Sequence, residues 1–298
     1  MILDERVTSI ETYLNQLPRL DDKLRGDIFY RGQSNTSYNL SPSVYRGELR
    51  NKEHNIYTQI LTECAHEFKE CNLHNEILSK MQHYGVPTRL LDVTSNALVA
   101  LYFACEGNYE EDGAVFVMKP DNSYIKQYDS DAISILSSLP RFTSYEKEEI
   151  LDLASNAQIE MQEHDSEETI IKFNNNKIIK RLLHEIKKEK PAFENIIDPK
   201  DLLNNYFLLP RKNNARIIRQ SGAFVIFGLK DKEIDSGLQL STFGEGNSRF
   251  YKIVIKKDSK ESIIKQLMVF GISKATLYPE LYKVAEFIKE KYYINSRV

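Results

Sequence analysis

The sequence predicts an α+β fold with a mixed or antiparallel sheet at its core and a helical insertion, and three features carry that expectation. Short apolar runs of strand character are scattered among segments of helical periodicity, with no repeated strand-helix-strand rhythm of the kind a doubly wound sheet needs. The chain has 298 residues, of which 41% are hydrophobic, enough to bury a substantial core. Between about residues 121 and 205 the strand signals thin out and charged helical segments take over. That stretch reads as an insertion, so residues 1–120 and 206–298 together form the α+β core.

Taken in order, Val7, Ile10, Tyr13, Leu14 and Leu17 have helical spacing, and Asp27-Ile28-Phe29-Tyr30 is a short strand ending at Arg31-Gly32. Residues 53–71 and 75–84 follow as helices. Gly85-Val86-Pro87 ends the second, because proline cannot continue the hydrogen-bond ladder. Ser95 or Asn96 caps the next helix, Ala97 to Cys105, whose apolar character all round marks it as buried. Gly113 to Lys119 is a central strand, short and apolar between glycine and Pro120. Helices are expected at 144–156 and 167–189, strands at Ala223 to Phe227 and Phe250 to Ile255, and further helices at 259–269 and 279–292.

The formal net charge of −3 leaves no global field to draw nucleic acid, so any anion site has to be local. Cys64, Cys71 and Cys105 form no CxxC pattern, and an odd count leaves a thiol unpaired in an oxidising compartment. A reduced cytoplasm is the expectation. The opening MILDERVTSIETYLNQL lacks the basic start and apolar run of a secretory signal, and no stretch reaches about 18 apolar residues, so a membrane partner is not expected. The cysteines and six histidines form no zinc quartet, and no metal is expected. The GxGxxG, Walker, GxSxG and HExxH signatures are all missing.

Three segments hold the candidate chemistry. In Phe29-Tyr30-Arg31-Gly32-Gln33 a strand delivers Arg31 to a turn where Gly32 lets a ligand approach, and a guanidinium there can grip phosphate or carboxylate. The bland alternative is an arginine paired with an acidic neighbour. Residues 83–105 pack His83, Tyr84, Thr88, Arg89, Asp92, Thr94 and Ser95 ahead of the apolar helix. Turn and cap bonds plus an Arg89–Asp92 pair would account for some of them, and a pocket rim with Tyr84 or Tyr102 as its aromatic wall would account for all. The third segment, residues 211–227, leads Arg216, Arg219 and Gln220 through Gly222 into a strand, although basic groups at a helix C-terminus are favoured by the dipole alone. Finally, Lys172, Lys177, Lys180, Arg181, Lys187, Lys188 and Lys190 form either a solvated helix face or a phosphate-binding one.

These motifs resemble the FRG domain family, named for a Phe-Arg-Gly motif and found in bacterial and phage-associated proteins. Tyr30-Arg31-Gly32-Gln33 stands at the name-giving position, with Tyr30 for Phe. His83 to Asp92 with Ala100 to Ala104 resembles the long second block, with Val93 where a tryptophan is common. Arg216, Gln220, Gly222 and Phe224 fit a looser third block, and Leu277 to Leu281 resembles a segment near the family's end. A more distant likeness is to the three-part layout of ADP-ribosyltransferases, which implies an ADP-ribosyltransferase-like sheet core and NAD as the bound cofactor. On that likeness Arg31 grips NAD, Thr94 or Ser95 braces the site and Gln220 is the third element, with Asp92 and the glycine-flanked Glu245 as further candidates for catalysis. Tyr30, Gly32, Gln33, His83, Tyr84, Thr88, Arg89 and Tyr102 complete the implied cofactor site. The resemblance thus implies a toxin-like or phage-defence enzyme that transfers ADP-ribose to a macromolecular target or hydrolyses NAD, with an antitoxin or defence-system partner. A nucleotide- or anion-sensing module without catalysis, and a nucleic-acid-binding protein using the basic 172–190 helix, are the alternatives.

Overall fold

The computed structural model describes residues 2–17, 27–163, 166–230, 249–280, 284–285 and 287–288. Among them, strands β1 (Ile2–Val7), β2 (Phe29–Gln33), β3 (Leu90–Thr94), β4 (Gly113–Lys119), β5 (Ile125–Gln127), β6 (Tyr206–Leu209), β7 (Gly222–Ile226) and β8 (Arg249–Ile255) form one sheet. Its order is β1-β8-β4-β2-β3-β7-β6-β5. The inner pairings are antiparallel, while the two outermost, β1 with β8 and β5 with β6, are parallel. This is the mixed sheet the sequence predicts. The helices are α1 (Ile10–Gln16), α2 (Glu53–Glu63), α3 (His74–His83), α4 (Ala97–Cys105), α5 (Asp131–Ser138), α6 (Ser144–Glu163), α7 (Ser166–Asn174), α8 (Lys177–Glu189), α9 (Pro199–Leu203), α10 (Ala215–Arg219), α11 (Lys260–Val269) and α12 (Lys274–Leu277).

Strand alternation sorts the core onto two faces. On one, Val115, Val117, Ile253 and Ile255 meet the buried side chains of α1, α4 and α11, and further along Leu90, Phe224, Ile226 and Leu208 meet α3 and the helices from α5 to α9. On the other, Phe29, Leu91, Val93, Phe116, Met118, Phe207 and Val225 form a smaller core. The helices expected between residues 121 and 205 are present. They do not stand apart from the sheet: β5 lies within this stretch, and Ile133, Leu136, Ile179 and Leu182 share one buried cluster with Leu90, Phe224 and Ile226.

Helix α4 fixes the middle of the sheet. Its N-cap is Asn96, whose side chain accepts from the amides of Leu98 and Val99 at 2.9 and 3.3 Å. A Cβ added to Gly32 would lie 1.9 Å from the Ala100 carbonyl oxygen, and one added to Gly113 would lie 2.1 Å from that of Ala104. The glycine expected to let a ligand approach therefore admits a helix backbone instead.

Next to α4 the sheet parts. β2 pairs with β4 along its whole length, Phe29 to Gln33, and β3 pairs with β7 along its whole length, Leu90 to Thr94. Between β2 and β3 the register holds only at Tyr30 opposite Thr94. Beyond that point the two strands diverge, leaving backbone polar groups that need other partners.

Candidate functional site

The gap between β2 and β3 opens into a cleft of about 350 Å³. From β2 come Tyr30, Arg31, Gly32 and Gln33, from β3 Asp92, Val93 and Thr94, and from α4 and its end Phe103 and Glu106. Arg46, Arg216, Gln220 and Tyr278 close it from three other parts of the chain. The first and second motif blocks and parts of the third thus meet at one place.

Arg31 spans the parted strands. Its Nη1 donates to the Asp92 carbonyl at 2.6 Å and stands 4.0 Å from the Asp92 carboxylate, while its buried Nε has no hydrogen-bond partner among the described residues. Burial pushes its pKa down to about 10; Asp92 opposes that shift and the nearby Arg46 adds to it. The group stays cationic at neutral pH, held where its charge is incompletely compensated. Asp92 does not compensate it fully, because its Oδ2 accepts from Gln82 at 2.8 Å.

Two more guanidiniums face the same space. Arg46 donates to the Ser41 carbonyl through Nε and Nη2. Arg216 donates to the His83 carbonyl at 3.0 Å, lies 3.7 Å from Glu280, and stacks 4.7 Å above the Tyr278 ring. Three guanidiniums thus line one cleft together with the carboxylates of Asp92 and Glu106, in a chain that is weakly acidic overall.

The polar wall is braced by the β3 to α4 turn. Thr94 Oγ1 donates to the Gln220 carbonyl at 2.6 Å and accepts from the Asn96 amide at 2.9 Å. Gln220 Nε2 donates to the Leu277 carbonyl at 3.0 Å. Gln33 is buried and donates to the Asn39 carbonyl at 3.3 Å, and its Oε1 has no hydrogen-bond partner among the described residues. Lys260 ties down the rim, donating to the carbonyls of Ser34, Gly107 and Asn108 at 2.7 to 3.2 Å.

Several sequence-predicted residues stand elsewhere. Arg89 is fully buried in the core, making two bonds to Glu53 at 2.8 and 2.5 Å and one to the Phe227 carbonyl, so the expected Arg89–Asp92 pair is replaced by Arg89–Glu53 and Arg31–Asp92. Thr88 is buried and donates to Gln82 at 2.7 Å. Tyr84 is 68% exposed and borders a separate depression with Glu76 and Arg211. Ser95 donates through its amide to the Ser221 carbonyl at 3.0 Å, bracing the turn from outside the cleft. His83 lies behind Arg216, and burial, with Arg216 second, pushes its pKa down to about 4. Glu245 lies outside the described residues.

The aromatic wall is also supplied differently. Tyr102 is buried and is not among the residues lining the cleft; its hydroxyl donates at 3.1 Å to Glu106, which does line it. The rings lining the cleft are Tyr30, Tyr38, Phe103 and Tyr278, with Phe103 and Tyr278 edge to face at 6.2 Å. Tyr278 sits in the Leu277 to Leu281 segment, which the sequence marked without a role. Arg46 and Glu106 carried no motif signal; only the Tyr102–Glu106 spacing, one helical turn, hinted at the latter. Among the described residues no group of three or more His, Cys, Asp or Glu side chains could hold a metal ion, and no helix is long and apolar enough to cross a membrane.

Comparison with known proteins places residues 26–113 on the model of the FRG domain. That span takes in the short first motif block and the long second one, together with Arg31, Arg46, Asp92 and Glu106. No curated protein and no solved structure matches the chain.

Proposed function

Because this chain carries an FRG domain over residues 26–113, we propose that the domain's parted strands form an NAD site, and that the protein transfers ADP-ribose to a macromolecular target or hydrolyses NAD. The observation that carries this reading is Arg31. A buried cation with a free Nε, between two strands that stop pairing beside it, is poorly satisfied by the protein alone. A diphosphate would supply the missing charge and acceptors.

The remaining groups fit the same ligand. Arg46 and Arg216 add counter-charge for the pyrophosphate, and Phe103 and Tyr278 offer aromatic surface for the nicotinamide ring. When the bond from ribose C1′ to the nicotinamide nitrogen breaks, the electron pair leaves with nicotinamide. The ribosyl carbon becomes cationic, and the Asp92 carboxylate at the cleft wall stabilises that charge. Thr94 and Gln220 hold the wall in place. An ADP-ribosyltransferase-like use of this mixed sheet, in a toxin-like or phage-defence role with an antitoxin or defence-system partner, is the setting we propose.

One observation favours a second reading, an anion-sensing module without catalysis. The side chains of Asp92 and Gln220 are both already engaged, with Gln82 and Leu277. The nucleic-acid alternative has less support, because Lys172, Arg181, Lys188 and Lys190 are paired with Glu160, Glu146, Glu185 and Asp131. Following nicotinamide release from NAD by the purified chain, with and without cell extract, tests the proposal. We expect release that Arg31→Ala abolishes; NAD binding with no release under any condition would leave the sensor.

A further inference from the structure

Glu106 is an acidic side chain where folding alone disfavours one. It is the residue that ends α4, at the negative end of the helix dipole. Two phenol groups hold it there. Tyr102, one turn back on α4, donates to Oε1 at 3.1 Å, and Tyr278, arriving from beyond α12, donates to Oε2 at 3.4 Å. The Tyr278 ring in turn lies under Arg216 at 4.7 Å. Burial first, and Glu106 second, push the hydroxyl pKa values of both tyrosines up, so they remain donors across the physiological range.

The result is a carboxylate oriented from two sides, on the wall of the same cleft as Arg31 and Arg216. Asp92 has a different setting: it lies 4.0 Å from the Arg31 guanidinium and one of its oxygens accepts from Gln82. Resting on the NAD reading above, we infer that Glu106 is the catalytic carboxylate of the cleft, the base that activates the attacking nucleophile. In this step the C1′–nitrogen bond breaks with its electron pair passing to nicotinamide. A new bond forms from the acceptor oxygen or nitrogen to C1′, and the acceptor's proton moves to Glu106, which later yields it to solvent. With water as the acceptor the products are ADP-ribose, nicotinamide and one proton.

The test compares wild type, Glu106→Gln and Arg31→Ala in two assays, equilibrium binding of NAD and nicotinamide release. Glutamine keeps the shape: its amide oxygen can accept from one of the two phenols and its amide NH2 can donate to the other's hydroxyl oxygen, but it takes no proton. We expect Glu106→Gln to bind NAD within about threefold of wild type while release falls by at least about 100-fold, the scale of a lost general base. Release by Glu106→Gln within about threefold of wild type, with Arg31→Ala inactive, would overturn this assignment and leave the NAD reading standing. Wild type that neither binds nor cleaves NAD would overturn both.

Discussion

Glu53 carries two cations in the core: Arg89 binds both its oxygens, and Lys147 donates to Oε2 at 2.6 Å. Burial alone would raise the Glu53 pKa, but Arg89 and Lys147 outweigh it and bring it from 4.5 down to about 2. Stability from this group is therefore fully present above pH 4.5 and is lost as pH falls towards about 2. Glu53→Ala removes the carboxylate that faces two buried cations and should cost about 3–5 kcal/mol in denaturant unfolding. Arg31 is the opposite case. Its pKa is depressed, so the folded protein carries a cost for holding it charged at neutral pH. Arg31→Met should leave the melting temperature unchanged or higher while abolishing NAD binding, and a large drop would reassign Arg31 to the scaffold. The two arginines look alike in sequence because each lies in a polar motif block. What separates them is the partner, Glu53 for one and a backbone carbonyl for the other, and neither is visible in local spacing.

At the scale of elements, α4 and β4 were legible because a continuous apolar run between clear breakers has few readings; Ala97–Cys105 and Gly113–Lys119 match their expected bounds. β3 was not. Leu91 and Val93 alternate with Asp92 and Thr94 as a strand should, but the density of polar groups read as a pocket rim and turn. Strands β1 and β6 also went unseen, since β1 is half charged and its parallel partner β8 lies some 250 positions on. Much of helix 279–292 lies outside the described residues. The contact of α4 with β2 is testable directly. Gly32→Ala drives a methyl group into the Ala100 carbonyl and should cost about 1–3 kcal/mol or more in thermal unfolding. Asn96→Ala removes the α4 cap, for a loss of about 1 kcal/mol.

At the scale of the molecule, the charged stretch from 121 to 205 holds α5 to α9 as well as β5, and charge on the outer faces hid how its inner faces join the sheet. Ile133, Leu136, Leu182 and Leu203 cover Leu90, Phe224 and Ile226. A chain lacking residues 121–205 would expose that apolar face, so we expect it to be insoluble, and the full chain to unfold in one cooperative transition by circular dichroism. Separate transitions would make the stretch an independent domain. The cleft is likewise a product of the whole fold, drawing Arg31, Arg46, Asp92, Glu106, Arg216 and Tyr278 from six stretches of sequence. Equilibrium binding of NAD to the wild-type protein and to Arg31→Ala tests this convergence most directly. Saturable binding that weakens at least about tenfold in the variant, as loss of a charge-assisted contact requires, is the predicted result; no binding, or equal binding by both proteins, would contradict it.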